Sequence, residues 1–470
     1  MKQTIFIKEA VSLADYLINL TKNNNLPLEY TNLKKNNNFG NVMVDDFGDY
    51  LPFVEWLGQT TNNKYSEWVK QKAFFTIQNF QMPNGLLCTS FKKKNKIPKK
   101  NNLKIFNADK MSDSILGVNL MYDLTKKESY EKTLTRFFTA LDKKMTSKKG
   151  IIYYKKTPFF KYPFSMGKYC GLYIEELVKF YEVTKDEHLL KLAEKLSRPW
   201  IEDTFFKKQG LIPFKCTFAL IKPFAQVLFK KLTSFSFETS MLTKSNTNMI
   251  FGLARLQNII NSDKINHALN QWVNAVESKL LTKENVLLSI WQEHNKFNIS
   301  YLGADHAAID ALLEIYLVNK NKKALNLAIK ITGGWLKFQS KIGLVTETPY
   351  EYNLSKLSKI MKNYSMSRTD ISRLDSQVDF AVVILKVYEL TKDKKYLDAA
   401  KNITNGIIKY HKFNKGFIEF VNIKTKEQKG HKIETKFLFL ILKLLILMHN
   451  IENGKKIYKD KLIKDLIRDR

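Results

Sequence analysis

Cysteine, proline and glycine are all scarce in this chain, and each scarcity removes a class of design. Three cysteines in 470 residues, Cys88, Cys170 and Cys216, are odd in number and widely scattered. They exclude a disulfide frame and fit buried thiols in a reducing, cytoplasmic compartment. Ten prolines and 18 glycines exclude a linker-dominated or low-complexity chain. Long apolar runs are missing as well. The strongest, Phe437 to Met448, is interrupted by Lys443, so it reads as a buried helix rather than a transmembrane span. The opening residues Met1-Lys2-Gln3-Thr4-Ile5 lack the apolar stretch of a signal peptide.

Acidic side chains are the under-used charge: 45 Asp and Glu stand against 77 Lys and Arg, a net charge of +32. A basic face is the footprint of phosphate binding. Here, however, the excess is mostly Lys and runs through the whole chain together with Asn and Ile. The densest run, Lys92 to Lys100, falls in a loop between helical patterns. No nucleic-acid partner is expected; a solvated loop accounts for the run, with an anionic membrane surface as the alternative. The seven histidines are dispersed, with no His-Glu-x-x-His and no Cys-x-x-Cys, so no zinc site is expected; no cofactor is expected either, with one Ca²⁺ among the surplus acids as the alternative. There is no Gly-rich phosphate loop and no Gly-x-Ser-x-Gly elbow.

What the chain does have is a repeat. Six helix-rich stretches end in a short apolar phrase, usually opened by glycine. The copies are Gly85-Leu86-Leu87, Gly150-Ile151-Ile152, Gly210-Leu211-Ile212, Val286-Leu287-Leu288, Gly343-Leu344-Val345 and Gly416-Phe417-Ile418. A period of roughly 55 to 75 residues marks an internal repeat of supersecondary units. In front of each phrase lie two patterns with apolar residues at i, i+3, i+4 and i+7, the helical period. The clearest pair starts at Asp375, turns at Thr391-Lys392-Asp393 and continues to about Tyr410; Thr184-Lys185-Asp186 is nearly a copy of that turn. Such a turn supplies a cap for the helix that follows.

The first helix of each pair is the more apolar, as an inner layer requires. Two helices are left over: an amphipathic one from Ile5 to Leu20 and a very apolar one from Glu434 to Met448. Paired, they make a seventh hairpin. The expectation is an all-α fold, an (α/α)7 toroid, or an (α/α)6 toroid if the terminal helices do not pair. Short β segments follow the outer helices, and one domain spans residues 1–470. Residues 215–236 mix apolar, Lys and Pro residues and do not fit the repeat. They read as an insertion packed over one rim, with a peripheral membrane contact as the alternative.

The starts of the inner helices form a list of acids: Asp45, Asp46 and Asp49; Asp109 and Asp113; Glu238; Asp305; Asp375; and Glu434. Any one of them can cap its helix. As a set, at helices pointing one way around an axis, they face each other across a cavity. Like charges there raise some pKa values and leave others ionised. Glycoside cleavage uses that arrangement, with one acid for the leaving oxygen and one carboxylate for the anomeric centre. Aromatics stand nearby, among them Phe47, Tyr50, Phe235, Phe237 and Trp291, and flat rings stack on sugars. The pattern points to an oligo- or polysaccharide substrate, bound by Asp45, Asp46, Asp49, Asp109, Trp291, Arg373 and Glu434. A polysaccharide lyase or uronate epimerase is a second reading, with Tyr364, Arg368 and Arg373 as its base and uronate grip. A toroid that binds glycans or proteins without catalysis is the third, and its acids would be caps.

Four segments occur in a familiar order: Phe235-Ser236-Phe237-Glu238-Thr239, Gly303-Ala304-Asp305, Arg373-Leu374-Asp375-Ser376 running on to Tyr396, and Glu434-Thr435-Lys436-Phe437. By them the C-terminal half resembles the class I α-mannosidases (glycoside hydrolase family 47) within the helical-toroid carbohydrate enzymes. The resemblance implies a glycosidase in which Glu238, Asp305 and Asp375 stand where the family keeps three catalytic carboxylates. Glu434 would open the closing inner helix. Asp375 replaces a Glu of that family. The family's Ca²⁺ is held by a Thr in a C-terminal segment that has no counterpart here, so the resemblance does not carry the metal across.

Overall fold

The computed structural model describes residues 3–468 except 23, 25, 89, 92–105, 158–159, 214, 217–222, 225–226, 228–239, 242–245, 292–298, 351–368 and 460. Helices dominate. In chain order they are α1 (Ile5–Thr21), α2 (Phe47–Thr60), α3 (Ser66–Phe80), α4 (Ala108–Thr125), α5 (Glu128–Ala140), α6 (Gly167–Thr184), α7 (Glu187–Ile201) and α8 (Thr204–Gln209). There follow α9 (Thr247–Ile260), α10 (Asp263–Ala275), α11 (Leu302–Asn319), α12 (Lys322–Leu336), α13 (Leu374–Thr391), α14 (Lys394–Gly406), α15 (Thr435–Glu452) and α16 (Lys461–Leu466). The chain forms two compact units: Met1–Ala140 with Ser340–Val345 and Ser372–Arg468, and Leu141–Gln339 with Thr346–Ile371.

In the first unit the hairpins are α2 with α3, α4 with α5 and α13 with α14, and α1 packs along α15. The two terminal helices therefore pair, as their complementary character predicts, and the Thr4 hydroxyl meets His449 Nδ1 at 3.0 Å. Inner helices α4, α2, α15 and α13 adjoin one another in that order. In the second unit the hairpins are α6 with α7, α9 with α10 and α11 with α12, and the inner helices adjoin in the order α6, α9, α11. Burial separates the layers. Inner α11 is buried at every residue from Ala304 to Ile315. Outer α10 buries Ile265, Ala268, Leu269, Trp272 and Val273, a single stripe at helical spacing.

The hairpin turns repeat in detail. Inner helices end on a left-handed residue, Lys126, Lys185, Asn261, Lys320 or Lys392. The Asp186 and Asp393 side chains then cap the next helix by accepting from His188 N at 2.9 Å and Lys395 N at 3.1 Å. A lysine in the left-handed region carries a Cβ clash of about 1 kcal/mol that glycine avoids. Lys392→Gly is therefore expected to raise the melting temperature slightly despite glycine's greater unfolded-state entropy. Thermal unfolding checks the sign.

The repeated apolar phrase is a tight hairpin that follows the outer helix. The same backbone bond recurs in four copies: Met82 N to Leu86 O, Ser147 N to Ile151 O, Thr282 N to Val286 O and Ser340 N to Leu344 O, at 2.8–2.9 Å. Gly343 shows why glycine opens the phrase. Its φ is +88°, and a Cβ there would lie 2.3 Å from the Asn402 carbonyl oxygen on α14. The fourth copy reverses the roles. Asn285 takes the left-handed conformation (φ 66°), and the facing helix supplies the glycine, since a Cβ on Gly334 would sit 2.2 Å from the Asn285 carbonyl oxygen. A Cβ on neighbouring Gly333 meets nothing within 4 Å. Gly334→Ala is therefore expected to destabilise the protein by about 1–3 kcal/mol through overpacking. Gly333→Ala, one residue away on the same helix, is expected to stabilise it by up to about 1 kcal/mol. Denaturant titration of both variants reads the opposite signs.

Candidate active site

Four inner helices of the first unit begin at a common end, and their opening residues meet. The Lys110 ammonium at the start of α4 pairs with the buried Asp45 carboxylate just ahead of α2. Lys436 in the first turn of α15 lies 3.5 Å from Asp46 Oδ1 and 3.2 Å from Glu434 Oε2. Asp46 and Glu434 hold the N-cap positions of α2 and α15, yet neither side chain bonds its helix's free N–H groups. Both carboxylates turn to the Lys436 ammonium instead. By contrast Asn107 does cap α4, accepting from Asp109 N at 2.9 Å, and places Asp109 in the first turn behind it.

The electrostatics couple the group. Burial pushes the Asp46 carboxyl well above its ordinary range; Lys436 pulls it down, and Asp45, Asp49 and Glu434 push it further up. Burial opposes the charge of Lys436, but Asp46, Asp49, Glu434 and Asp45 outweigh it and hold the ammonium well above the usual lysine value. Beneath them the Tyr50 hydroxyl and Asp45 Oδ1 are buried without a hydrogen-bond partner among the described residues. Unpaired buried polar atoms are costly to leave dry, and here they face the acid group: Asp46, Asp45 and Asp49, after burial, raise the Tyr50 pKa.

A second constellation adjoins it at the start of α13. Arg373 Nε lies 3.1 Å from Asp375 Oδ1 and 3.5 Å from Glu419 Oε1, so the two carboxylates lie within about 7 Å of each other. The guanidinium stands 5.6 Å from the Phe437 ring. Glu419 is fixed by its backbone, whose carbonyl accepts from Leu374 N at 2.9 Å. Burial pushes its carboxyl up to about 7; Arg373 pulls down, while Asp375 and Glu434 push up. Glu434 thus belongs to both constellations. It also faces Tyr30 across the paired strands Tyr30–Asn32 and Lys432–Glu434. The Tyr30 hydroxyl is pushed up to about 12 by its hydrogen bond to Glu29, by burial and by the charges of Glu29 and Glu434.

The second unit treats its acids differently. Asp305, in the first turn of α11, is fully buried and bridges the apolar phrase ahead of its helix and the outer helix α12. Its Oδ2 accepts from Leu287 N at 2.7 Å and from Trp335 Nε1 at 2.6 Å. Other hairpins fill the equivalent place with neutral groups. Asn246 Oδ1 accepts from Ile212 N at 2.7 Å, Gln377 Oε1 accepts from Val345 N at 2.9 Å, and the Cys170 thiol interacts with Ile152 N and the Trp200 side chain. The position is a clamp on the repeated apolar phrase, and the acid is one of several residue types that serve. Trp291 is buried, with the Lys279 ammonium 5.3 Å over its ring and Phe205 against it edge-on. Glu238 lies outside the described residues, as do Phe235, Phe237, Tyr364 and Arg368. The structure thus brings together Asp45, Asp46, Asp49, Glu434, Arg373 and Asp375, with Asp109 in the first turn of the adjoining α4. It adds Glu419, Lys436 and Lys110, which the list of inner-helix acids omits.

Burial pushes the Asp305 carboxyl up to about 7. A folded-state pKa raised above the unfolded value means that stability falls as pH rises from about 4 to 7 and then levels off. Asp305→Asn would recreate the amide clamp of Asn246. It is expected to flatten that window in a series of melts while leaving catalysis within about twofold of wild type. A residue acting on substrate would instead lose about 100-fold or more.

Among the described residues no group of three or more His, Cys, Asp or Glu side chains is arranged to hold a metal ion. The acids at the start of α2 and α15 are met by the ammonium groups of Lys110 and Lys436. No family model matches this chain, and no curated protein matches its sequence. Solved structures do match. The α-1,2-mannosidase from Trichoderma reesei is 12% identical with a TM-score of 0.65, over 93% of each chain. A sugar epimerase from a ruminal bacterium is 14% identical with a TM-score of 0.57, over 82% of this chain and 96% of that one. An α-mannanase of glycoside hydrolase family 76 from Bacteroides thetaiotaomicron is 16% identical with a TM-score of 0.53, over 87% and 100%. At these identities the likeness speaks for the fold: this chain has the all-α fold of the (α/α) toroids, as its repeat predicts.

Proposed function

We propose that the protein is a carbohydrate-active enzyme, a glycoside hydrolase acting on an oligo- or polysaccharide at the carboxylate-rich end of the first unit's inner helices. The observation that carries the reading is the pair Glu419 and Asp375 on one guanidinium, with the Glu419 carboxyl held near neutrality. Glycosidases need two carboxyl groups of unlike protonation several ångströms apart. Glu419 supplies the proton that the leaving glycosidic oxygen takes up. Asp375 supplies the second carboxylate, toward water or the anomeric carbon, and Arg373 orients both. The matched mannosidase, mannanase and epimerase place this fold among proteins named for sugars, which supports the class and not the sugar.

The test is a panel of neutral and uronate-containing oligosaccharides, followed by proton NMR, with wild type beside Asp375→Asn. Release of a reducing sugar that the variant loses, with folding intact, is the expected result, and the anomer first formed distinguishes inversion from retention. An intact oligosaccharide of changed configuration would move the assignment to an epimerase, and an unsaturated product to a lyase. Binding without turnover, equal in both proteins, would leave a glycan-binding module.

A further inference from the structure

Four of the five large apolar side chains left exposed in the described part of the second unit come from two short stretches. They are Phe160 (54%) and Tyr162 (37%), then Phe224 (72%) and Val227 (67%). Tyr162 lies in, and Phe160 just ahead of, the strand Lys161–Tyr162, which pairs antiparallel with Lys155–Lys156. The Phe160 and Tyr162 rings meet edge to face at 5.1 Å. Thr157 and Phe160 are bonded to each other: the Thr157 N–H donates to the Phe160 carbonyl at 2.8 Å, and Phe160 N donates to the Thr157 hydroxyl at 2.9 Å. Phe160 is therefore tied at its backbone to Thr157 while its ring stays exposed. Two residues beyond Tyr162, Phe164–Ser165 pairs with Lys215–Cys216.

The charge around these rings has one sign. The Lys155 ammonium lies 5.7 Å from the Tyr162 ring and that of Lys161 lies 5.0 Å from the Tyr153 ring. Among the described residues Lys155, Lys156 and Lys161 pair with no carboxylate. Burial, then the charges of Lys161 and Lys144, depress the Lys156 ammonium below its ordinary range, a sign of cations gathered without acids.

We propose that this lysine-flanked aromatic face of the second unit docks on an anionic lipid bilayer. Lysines near an anionic membrane gain from its surface potential within a Debye length. Tyr162 suits the headgroup level, and the exposed Phe160 ring can enter the acyl boundary. No described helix is long and apolar enough to cross a membrane, so the contact is peripheral.

The full chain is sedimented with vesicles of pure phosphatidylcholine or of phosphatidylcholine mixed with phosphatidylserine, at low and high salt. Binding is expected to the mixed vesicles alone and to weaken with salt. Replacing Lys155, Lys156 and Lys161 by Gln is expected to weaken it about 100-fold, at roughly fivefold per lysine. Phe160→Ser with Tyr162→Ser is expected to weaken it by about tenfold or more, since apolar insertion is lost. Phe160→Ser alone serves as the second variant, and thermal unfolding of all of them should match wild type because these rings are exposed. Absence of binding to mixed vesicles would overturn the proposal. So would loss in the lysine variant with full retention in both serine variants, because any polyanion would then serve.

Discussion

Glu419→Gln is expected to lower the hydrolysis of an unactivated glycoside by about 1000-fold, some 4 kcal/mol of transition-state stabilisation. The amide keeps the shape and the contact with Arg373 but has no proton to give the leaving oxygen. A nitrophenyl glycoside, whose leaving group departs without protonation, should lose far less, and that contrast separates a proton donor from a merely structural acid. The pH profile makes the same distinction. With its pKa raised to about 7, Glu419 is protonated and active at lower pH, so wild-type kcat/KM should fall as pH rises through 7. The variant should lack that limb. Stability should move the opposite way. Burial holds a proton on the folded protein that the unfolded chain gives up near pH 4.5, so wild-type stability drops between about 4.5 and 7. The glutamine has nothing to titrate and should melt higher than wild type at pH 8. A variant that is less active and more stable is what a carboxyl strained for function predicts.

The architecture was legible because the repeat is written in residues that the backbone demands. Glycine opens an apolar phrase where φ is positive and a neighbouring outer helix comes too close for a Cβ, as at Gly343. The fourth copy hid its glycine on the facing helix at Gly334, where the Gly333-Gly334 pair carries no meaning until Asn285 is seen against it. The pairing of α1 with α15 followed from one amphipathic and one very apolar helix left over from the six hairpins of the repeat. The site was less legible, for two physical reasons. A helix-start acid can turn toward the cavity or toward the apolar phrase ahead of its helix, and Asp305 does the second, in a place that elsewhere takes Asn246, Gln377 or Cys170. Four residue types in one role leave no pattern to read. Glu419 was missed because it opens no helix. It follows Gly416-Phe417-Ile418, and the residues after the other five phrases are Cys88, Tyr153, Pro213, Ser289 and Thr346, none of them charged. That lone charge after a repeated apolar strand was the available signal.

Lys443→Met is expected to destabilise the protein by about 3–5 kcal/mol, the largest stability loss among these substitutions. The Lys443 ammonium on α15 reaches Asp379 Oδ1 on α13 at 2.6 Å, with side-chain exposures of 3% and 12%. It interrupts the most apolar segment of the chain, and an interruption of that kind persists only if the charge is met. Methionine fills the same volume without strain, so the loss comes from Asp379, left as an unpaired acid in a low-dielectric layer between two inner helices. Adding Asp379→Leu should therefore restore most of the stability, and could exceed wild type, because two apolar side chains avoid desolvating both ions. The exposed pair Lys132 and Glu128 on α5 supplies the contrast: Lys132→Met should leave the unfolding midpoint close to that of wild type. A double-mutant cycle on Lys443 and Asp379, followed by urea unfolding, measures the coupling directly. If Lys443→Met alone is neutral, the pair does not hold α13 to α15. The register that sets Asp375 and Arg373 beside Glu434 would then have to come from apolar packing alone.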